Sequence, residues 1–247
     1  MTGEVRVIPL QGIPELEEGD DLAGLLVEAA GRAGGLEAGD VLVVAQKAVS
    51  KVEGRVVDLA QVEPSERARE LAGDQDPRRT EIILRESREV VRARPPLLIT
   101  ETQHGFVCAS AGVDASNAKG PGTVVLLPVD PDASARMLRE AITAATGIDI
   151  GVVVSDSFGR AWRQGTTDVA LGISGLAPLR DLRGEQDSAG YVLQTTEIAV
   201  ADEVAGAAEL VMGKTEGVPA AIVRGVHAPG DGSGTDLLMP RDRDLFR

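Results

Sequence analysis

Two periodicities of apolar residues alternate along the chain, and together they predict interleaved strands and helices. Short β-branched runs bounded by turn-forming residues predict strands, whereas apolar residues three and four positions apart predict amphipathic helices. Their irregular spacing favours an α+β fold of mixed layers over a regular doubly wound sheet. The predicted strands are Val5–Leu10, Val41–Ala45, Arg55–Leu59, Leu97–Thr100, Gly105–Ser110, Thr123–Leu127, Ile150–Val154, Val169–Ile173, Val192–Thr195 and Ala220–Arg224.

Helical spacing marks the segments between these strands. The segment from Glu63 to about Arg94 is rich in charge, and we interpret it as two helices broken near Asp74–Pro77, with its charges on a solvated face. Other predicted helices run from a cap at Asp20-Asp21 to about Arg32, over Asp132–Thr146 and over Thr196–Met212. In the helix Asp132–Thr146 the side chains expected to face inward are Met137, Leu138, Ala141 and Ile142.

The composition is that of a globular protein with an aliphatic core. Of the 247 residues, 43% are hydrophobic but only 2% are aromatic, so Val, Leu, Ile and Ala must fill the core. A chain of this length can bury one large core or two small ones. We expect a main domain over residues 1–229, either undivided or made of two subdomains, and a flexible Gly-, Asp- and Arg-rich tail over residues 230–247.

Charge and cysteine content exclude several functional classes. Lys and Arg number 25 and Asp and Glu number 39, and the resulting net charge of −14 would repel nucleic acid and anionic membranes, so we expect neither as a partner. The single cysteine, Cys108, excludes an internal disulfide and a cysteine-based zinc site, and we expect it to be a small buried hydrophobe. The sequence shows no apolar run of membrane-spanning length and no recognisable signal peptide, which favours a cytoplasmic protein.

Several common catalytic motifs are missing from the sequence. There is no Walker A loop, no GxGxxG after a predicted strand and no GxSxG. The two histidines, His104 and His227, lie in no recognisable triad motif, so a hydrolase of the Ser-His-Asp type is unsupported.

The segment Val152–Asp168 concentrates polar chemistry at the end of a predicted strand. Its opening valines lead to Asp156 and Ser157, and then to Arg160 and Arg163 on either side of the only tryptophan. A carboxylate beside a hydroxyl suits a hard divalent cation, and paired arginines suit a phosphate or a carboxylate. The alternative is a polar surface turn, but the tryptophan between the arginines favours a site. We expect that tryptophan either to pack in the core or to line the pocket.

Three other clusters are candidates for the same site, and each has an ordinary structural alternative. Residues 12–16 form a tight exit from the first strand, which by itself favours a simple turn. The segment Gln46–Lys51 follows a buried strand, where a lysine is equally suited to neutralise phosphate or to begin a solvated helix. Asp114 and Asn117 either supply ligands or form an Asx turn. Together Asp114 and Asp156 are suited to hold one Mg²⁺ or Mn²⁺ with water and phosphate oxygens.

Five motifs, taken in order, resemble the coenzyme F420-0:L-glutamate ligase family, also called the F420 γ-glutamyl ligases. They are GIPEL, AQKAVSKVEGR, AGVDASN, SDSFGRAWRQGTTDVALG and VMGKTEGVPAAIVRG, and they extend from about Ile8 to Val226. The resemblance implies a mixed α/β fold that forms an intertwined homodimer. It also implies a GTP-dependent ligase that adds L-glutamate to the phospholactyl carboxylate of coenzyme F420-0, releases GDP and phosphate, and then adds further γ-linked glutamates.

The same resemblance implies two divalent ions, Mg²⁺ or Mn²⁺, with K⁺ as a monovalent activator. Asp114 and Asp156 match ligands of one divalent ion, and Ser157, where the family often has Thr, matches a ligand of the second. Lys214 stands where some members have an amide near the second metal, and since an ammonium group does not ligate a cation, we expect it to face phosphate. The positions that match GTP contacts are Ile13, Pro14, Glu15, Leu16, Gln46, Lys51, Asn117, Met212, Gly213, Lys214, Thr215, Glu216, Gly217, Val218 and Pro219.

The implied reaction activates a carboxylate as an acyl phosphate, which the amine of glutamate then attacks. Our hypothesis is that Arg160 and Arg163 hold the anionic coenzyme arm or the incoming glutamate. Two other functions stay open at this point: a metal-dependent nucleotide phosphohydrolase, and a non-catalytic GTP-binding module that holds nucleotide and metal without turnover. The arginine pair beside Asp156 argues against the binding module because it indicates a second anionic ligand.

Overall fold

A computed structural model describes residues 3–118 and 120–246 and shows strands and helices interleaved along the chain. The strands are β1 (Arg6–Pro9), β2 (Val41–Ala45), β3 (Val56–Asp58), β4 (Ser87–Arg94), β5 (Leu97–Thr102), β6 (Val107–Ala109), β7 (Thr123–Val125), β8 (Gly151–Arg160), β9 (Arg163–Ser174), β10 (Arg180–Asp181), β11 (Glu197–Ile198) and β12 (Ala220–Arg224). The α-helices are α1 (Leu22–Arg32), α2 (Gln46–Val52), α3 (Glu66–Ala72), α4 (Pro77–Arg85), α5 (Pro131–Thr146) and α6 (Val200–Met212).

Local capping explains where two of the main helices begin. The Asp21 carboxylate accepts a hydrogen bond from the backbone N–H of Gly24 at 3.0 Å and begins α1. Asp130 caps α5 in the same way at 2.9 Å, and Pro131 fits the first turn because that position needs no intrahelical N–H donor. Gly147 ends α5 in the left-handed conformation that glycine adopts without strain. The predictions of both helices are confirmed.

The largest sheet orders its strands as β1, β12, β2, β8 and β9, with β2 and β8 parallel and the other neighbours antiparallel. Apolar side chains cover both faces because successive residues of a strand point to opposite sides. Val152 and Val154 of β8 pack with residues of α1, α2 and α5, while Val153 packs with residues of α6. The sheet is therefore the middle layer between two layers of helices, and the parallel pair ends beside the start of α2.

The edge strand β9 is covered by carboxylates rather than by another strand. An unpaired strand edge leaves backbone donors free and invites association with other strands. Here those donors bond to side chains of α5 and α6, which fixes β9 against both helices. The hydrogen bonds run from Asp168 N to Glu209 at 3.0 Å, from Ala170 N to Asp202 at 2.9 Å, and from Ile173 N to Asp132 at 2.8 Å.

A second group of elements packs around its own aliphatic core. Strands β4, β5 and β6 form an antiparallel sheet, and β3 pairs antiparallel with β7. Ile82 and Ile83 of α4 pack there with Leu98 of β5 and Val124 of β7. Helices and mostly antiparallel strands mixed in layers confirm the predicted α+β class.

Two expectations about the chain as a whole are tested by the structure. Cys108 is a buried free thiol on β6, as predicted, and burial together with the nearby Asp156 raises its pKa to about 12. Across residues 3–118 and 120–246, no helix combines the length and the apolar character needed to cross a membrane.

Some local predictions are wrong. The second helix predicted between Glu63 and Arg94 ends at Arg85, and the residues after it form strand β4, which pairs with β5. In place of the predicted strand Val192–Thr195, Val192 makes an isolated bridge to Gln186. In α5, Met137 is 56% exposed rather than inward-facing, and Ala141 is exposed as well. In β4, pairing with a neighbouring strand overrides local helical spacing, because propensity is a weaker influence than tertiary contacts.

The segment Val152–Asp168 differs most from its prediction. Strand β8 does not end after its valines but continues to Arg160, and a tight turn joins it to β9. Ser157 lies opposite Asp168 in this hairpin, and Arg160 lies opposite Arg163 at its tip. The predicted polar turn is therefore a long β-hairpin whose base and tip lie in different surroundings.

The predicted flexible tail begins at residue 230, and its described part, residues 230–246, makes specific contacts with the rest of the chain. The backbone N–H of Gly234 donates to Asp132 Oδ1 at 2.8 Å, beside the bond that the same oxygen makes with β9. Short 3-10 turns at Gly234–Leu237 and Arg241–Arg243 order the segment locally. The glycines and aspartates that suggested a loose tail here form turns and caps.

Candidate active site

A cavity of about 410 Å³ lies at the carboxyl ends of the parallel strands β2 and β8. Sheets of this kind bind ligands in the crevice outside the carboxyl ends of their strands, and the volume is typical of ligand pockets. The walls come from the β1–α1 connection, the start of α2, strands β8 and β9, and the segment after α6. The lining residues are Ile13, Pro14, Glu15, Leu16, Ala45, Gln46, Lys47, Ala48, Lys51, Asn117, Ser155, Asp156, Ser157, Asp168, Glu209, Met212, Gly213, Lys214, Thr215, Gly217, Val218 and Pro219.

Most residues predicted for the site line this cavity, although they come from distant parts of the chain. Asp114 is linked to the cavity through Lys47, and Glu216 turns its carboxylate back onto the N–H of Thr215 at 2.9 Å. Arg160 and Arg163 are not among the lining residues. The predicted residues that the structure brings together are Ile13, Pro14, Glu15, Leu16, Gln46, Lys51, Asn117, Asp156, Ser157, Met212, Gly213, Lys214, Thr215, Gly217, Val218 and Pro219.

One wall carries a lysine that is already neutralised. The Lys47 ammonium, in the first turn of α2, donates to Asp114 Oδ2 and to the Ser116 hydroxyl, both at 2.6 Å. Ser116 in turn donates its hydroxyl to Asp114 at 2.8 Å. Burial opposes ionisation of Asp114, but the hydrogen bonds from Lys47 and Ser116 outweigh it and lower the pKa of the carboxyl. We call Lys47, Asp114 and Ser116 the lysine wall.

A second wall carries carboxylates without such a partner. Burial raises the pKa of Asp156 to about 7. The Ser157 backbone N–H and the charge of Lys47 oppose this shift, whereas the charges of Asp168 and Asp114 add to it. The Asp168 carboxylate is buried and accepts the hydroxyls of Ser155 at 2.8 Å and Ser157 at 2.6 Å. Within the described part of the chain, neither aspartate forms an ion pair with a lysine or an arginine. We call Ser155, Asp156, Ser157 and Asp168 the carboxylate wall.

Gln46 provides an independent indication that the cavity accommodates a ligand. Its side chain is 1% exposed, and its Oε1 accepts the Ser50 hydroxyl at 2.9 Å. Its Nε2 has no hydrogen-bond partner among the residues that the structure describes. A buried amide N–H without an acceptor is destabilising. An acceptor atom of a ligand in the cavity would satisfy it.

The segment after α6 and the loop that carries Asn117 meet at the cavity. Asn117 Nδ2 donates to the backbone carbonyl of Lys214 at 3.2 Å, which joins the two segments. At the start of the chain, Glu15 pairs with Lys51 of α2. Lys47, Lys51 and Lys214 therefore surround one cavity in a protein of net charge −14. Lys47 and Lys51 are paired with Asp114 and Glu15, and the lining also carries Asp156, Asp168 and Glu209, so phosphate groups would bind here together with cations.

The hairpin tip is separate from the cavity lining. Three residues of extended strand, about 10 Å, separate Arg160 from Ser157 in the cavity wall. Arg160 and Arg163 are exposed, and Arg160 donates to the backbone carbonyl of Gln164 at 3.2 Å. Trp162 is 83% exposed and its ring packs 4.7 Å from that of Phe246. The core alternative predicted for the tryptophan is wrong because the hairpin carries the side chain away from the sheet, and its place in a pocket for the second anionic ligand stays a prediction.

Sequence reasoning missed Asp168 and Glu209 as cavity residues. Asp168 was seen only as the end of a motif, and its position opposite Ser157 follows from the hairpin register. Glu209 lies in the amphipathic helix α6, and its side chain lines the cavity. Nothing in the helical spacing distinguishes it from the other acidic residues of that helix. The available signal was strand alternation through residues 155–157, which places both serines on one face. It becomes informative only when the partner strand is known.

The donor set fits hard divalent cations such as Mg²⁺ or Mn²⁺. Carboxylate and hydroxyl oxygens are the ligands that these ions prefer, and the carboxylate wall has no positive group of its own. In the described ranges, no three acidic, histidine or cysteine side chains assemble a complete metal site. Divalent ions would therefore complete their coordination with water and phosphate oxygens, which magnesium sites commonly use.

The chain is similar to a set of ligases over nearly its whole length. The F420-0:Gamma-glutamyl ligase family matches residues 12–225. The coenzyme F420:L-glutamate ligase of Methanothermobacter thermautotrophicus is 44% identical, over 98% of this chain and 99% of its own. That of Methanocaldococcus jannaschii is 46% identical over 86% of each chain, and that of Methanopyrus kandleri is 44% identical over 98% of each. The family match includes both walls of the cavity.

Proposed function

The chain belongs to the F420-0:Gamma-glutamyl ligase family and is a ligase, and from this premise we propose that it joins L-glutamate to coenzyme F420-0 in the biosynthesis of coenzyme F420. The bond formed is an amide between the glutamate amine and the phospholactyl carboxylate of the coenzyme. GTP is the energy source in this proposal, and GDP and phosphate are the other products. Later glutamates are added through γ-linkages.

One observation carries the proposal: three lysines, an unpaired buried amide and a carboxylate wall meet around a single cavity at the strand ends. The lysines supply positive charge for a triphosphate, and Gln46 Nε2 supplies a donor without a protein partner. The carboxylates supply hard oxygens where cations are needed. These groups support a proposal in which nucleotide phosphates and cations bind in the same cavity.

Asp114 and Asp156 would hold one divalent ion and Ser157 the other, with K⁺ as an activator. When bound, these ions neutralise charge that develops on the transferring phosphoryl group. The lysines hold the phosphate chain against the start of α2. Lys47 has a dual role, because it neutralises Asp114 and also lines the cavity beside the phosphates.

The chemistry proceeds in two displacements. The coenzyme carboxylate attacks the γ-phosphorus of GTP, the bond to GDP breaks, and an acyl phosphate forms. The neutral amine of glutamate then attacks the acyl carbon, and phosphate leaves. Holding the reactants in line supplies a large part of the rate enhancement in such reactions, so the absence of a histidine from the described cavity lining is no obstacle.

Arg160 and Arg163 are proposed to bind the anionic coenzyme arm or the incoming glutamate. A pair of guanidinium groups suits carboxylates and phosphates, and both side chains are exposed at the hairpin tip. The role of the arginines is tested by measuring the Michaelis constants for coenzyme and for glutamate in Arg160→Ala and in Arg163→Ala.

The proposal also includes a homodimer as the working form of the enzyme.

The decisive experiment incubates the protein with coenzyme F420-0, L-glutamate, GTP and Mn²⁺ and follows the coenzyme by mass spectrometry. We expect a mass increase of one glutamyl unit, then of further units, with one phosphate released for each amide formed. Leaving out glutamate should stop both the mass increase and the phosphate release. A mixture with ATP in place of GTP tests the choice of nucleotide.

Two outcomes would contradict the proposal and identify the alternatives. Phosphate release that does not need glutamate indicates a metal-dependent nucleotide phosphohydrolase. Tight binding of GTP and Mn²⁺ without any turnover indicates a binding module.

A further inference from the structure

Asp168 is a buried carboxylate that the proposed mechanism does not use. It is 5% exposed, lies at the cavity and faces Ser157 across the β8–β9 hairpin. Its Oδ2 accepts the hydroxyl of Ser155 at 2.8 Å, and its Oδ1 accepts that of Ser157 at 2.6 Å. A buried carboxylate without a cation is destabilising unless it is well hydrogen-bonded. The two serine hydroxyls provide the hydrogen bonds that stabilise it here.

The direction of these hydrogen bonds decides what the serines can bind. Both serine hydroxyls donate, and the two oxygens of Asp168 accept. Each hydroxyl has a single hydrogen, and that of Ser157 is directed to Asp168 at 2.6 Å rather than to Glu209 Oε1 at 3.5 Å. The serine oxygens keep only lone pairs for a further partner. They are suited to a cation and unsuited to donating to a phosphate oxygen.

Asp168 is itself held in place from the helix side. Its backbone N–H donates to Glu209 Oε2 at 3.0 Å, and two residues further along β9 the N–H of Ala170 donates to Asp202 at 2.9 Å. Both acceptors belong to α6, so the strand is attached to one rigid element at two points. The carboxylate therefore stands on a fixed backbone.

We propose that Asp168 is a positioning residue of this site, which accepts the hydroxyl hydrogens of Ser155 and Ser157 and leaves the lone pairs of Ser157 for a divalent cation. This inference rests on the proposed function, because it assigns Ser157 to a metal ion. Groups that orient metal ligands through hydrogen bonds typically change metal affinity by about ten- to a hundredfold when they are altered.

The test replaces Asp168 by Asn, which keeps the shape but exchanges one acceptor oxygen for an N–H donor. One serine then has to accept a hydrogen bond instead of donating one, and its lone pairs turn towards the amide. We expect the affinity for Mn²⁺, measured from the electron paramagnetic resonance signal of the free ion with and without GDP, to fall by about ten- to a hundredfold.

Asp202→Asn is the matched control. Asp202 accepts a backbone N–H of the same strand, its substitution removes the same charge, and it is not among the cavity-lining residues. We expect this variant to bind Mn²⁺ as the unaltered protein does. An equal loss in both variants would contradict the proposal, because it would trace the effect to net charge or to the attachment of β9.

A double-mutant cycle separates positioning from direct ligation. If Asp168 acts through the two hydroxyls, Asp168→Asn should change Mn²⁺ affinity little in a protein that already carries Ser155→Ala and Ser157→Ala. If the loss persists at full size in that background, Asp168 acts on its own and the proposal is wrong. If Asp168→Asn fails to fold, Ser155→Ala tests the same set of hydrogen bonds between Asp168 and the two serines. An unchanged Mn²⁺ affinity in that variant would overturn the proposal.

The outcomes also separate this inference from the proposed function. If the unaltered protein forms the glutamyl product and Asp168→Asn binds Mn²⁺ equally well, only the role of Asp168 is wrong. If the unaltered protein binds no Mn²⁺ with or without GDP, the proposed metal site and the role of Asp168 are both wrong.

Discussion

The lysine wall and the carboxylate wall belong to the same cavity but are in opposite electrostatic states. In the lysine wall, Lys47 neutralises Asp114 at 2.6 Å and lowers its pKa against the effect of burial. In the carboxylate wall, burial raises the pKa of Asp156 to about 7, and the neighbouring Asp168 adds negative charge. The same residue type is therefore stabilised as a charge on one wall and penalised on the other.

This difference indicates where the cavity needs an external cation. Asp114 of the lysine wall already has an ammonium partner, whereas the aspartates of the carboxylate wall form no ion pair among the described residues, so the carboxylate wall gains more from added positive charge. The two walls should therefore respond in opposite ways to the loss of a charge and to the addition of a divalent ion.

Asp156→Asn should have the largest effect of these variants, on the rate at which the glutamyl product forms. Removing a first ligand of a divalent ion forfeits several kcal/mol of charge stabilisation in the transition state, so we expect product formation to fall by about a hundredfold or more. Mass spectrometry of the coenzyme, with Mn²⁺ and GTP in excess, measures the rate. Asp149→Asn, which removes an exposed carboxylate paired with Arg139, is the control and should be fully active. Full activity of Asp156→Asn would disprove the metal assignment.

The same substitution should stabilise the metal-free protein at high pH. The pKa of Asp156 is about 7 in the folded state and about 4 when unfolded, so the unfolded chain loses its proton first as pH rises. The unaltered protein therefore loses stability between about pH 4 and about pH 7, and Asn escapes this loss. A shift of about three pKa units corresponds to about 4 kcal/mol, so we expect Asp156→Asn to be more stable by about that amount at pH 8 and equal near pH 4.

Urea unfolding in the presence of a chelator measures this difference at each pH. A difference that stays constant from pH 4 to pH 8 would contradict the burial of an ionisable Asp156. Asp149→Asn again provides the comparison for a carboxylate at the surface, and its stability difference should be small at every pH.

Lys47→Met should act in the opposite sense on the lysine wall. The substitution leaves Asp114 without its ammonium partner, and losing a hydrogen bond to a charged group destabilises by about 1.5 kcal/mol. We expect the melting temperature of the metal-free protein to fall and Mn²⁺ to restore part of it, because a divalent ion replaces the missing charge. Lys47→Arg, which keeps the charge, should melt close to the unaltered protein. No change in Lys47→Met would show that the ion pair contributes nothing.

Lys51→Ala should have the smallest effect of these variants, on the Michaelis constant for GTP. Lys51 pairs with Glu15 at the cavity, so its removal takes away one counter-charge for phosphate while Lys47 and Lys214 stay. We expect the Michaelis constant for GTP to rise by about fivefold, or about 1 kcal/mol, with little change in the turnover number. A GTP titration identical to that of the unaltered protein would exclude Lys51 from the nucleotide site.

Much of the fold follows from local pattern, and the exceptions have a common cause. The cap at Asp20-Asp21 and the buried runs of β2 and β12 are local signals, and the structure agrees with them. Ser87–Arg94 was predicted as helix but is a strand because β5 pairs with it. Local spacing says nothing about a partner that is formed by other residues.

The candidate site also contains residues that local motifs predict and residues that only the strand pairing identifies. Motifs predict Gln46, Asp156 and the segment 212–219 as site residues, and all of them except Glu216 line one cavity. Asp168 was missed because its importance depends on lying opposite Ser157, which requires the hairpin register. Arg160 and Arg163 were expected at the strand end, but continued pairing of β8 with β9 carries them to the tip.

The sequence by itself determined the helix caps, the buried strands, the α+β class and the family to which the chain belongs. These depend on residue type and spacing, which are local properties. Only the tertiary structure decided that Lys47 neutralises Asp114, that Asp156 lacks such a partner, and that Asp168 holds two hydroxyls. Charge state and hydrogen-bond direction depend on burial and on neighbours brought close by folding, so they are fixed by contacts between distant residues.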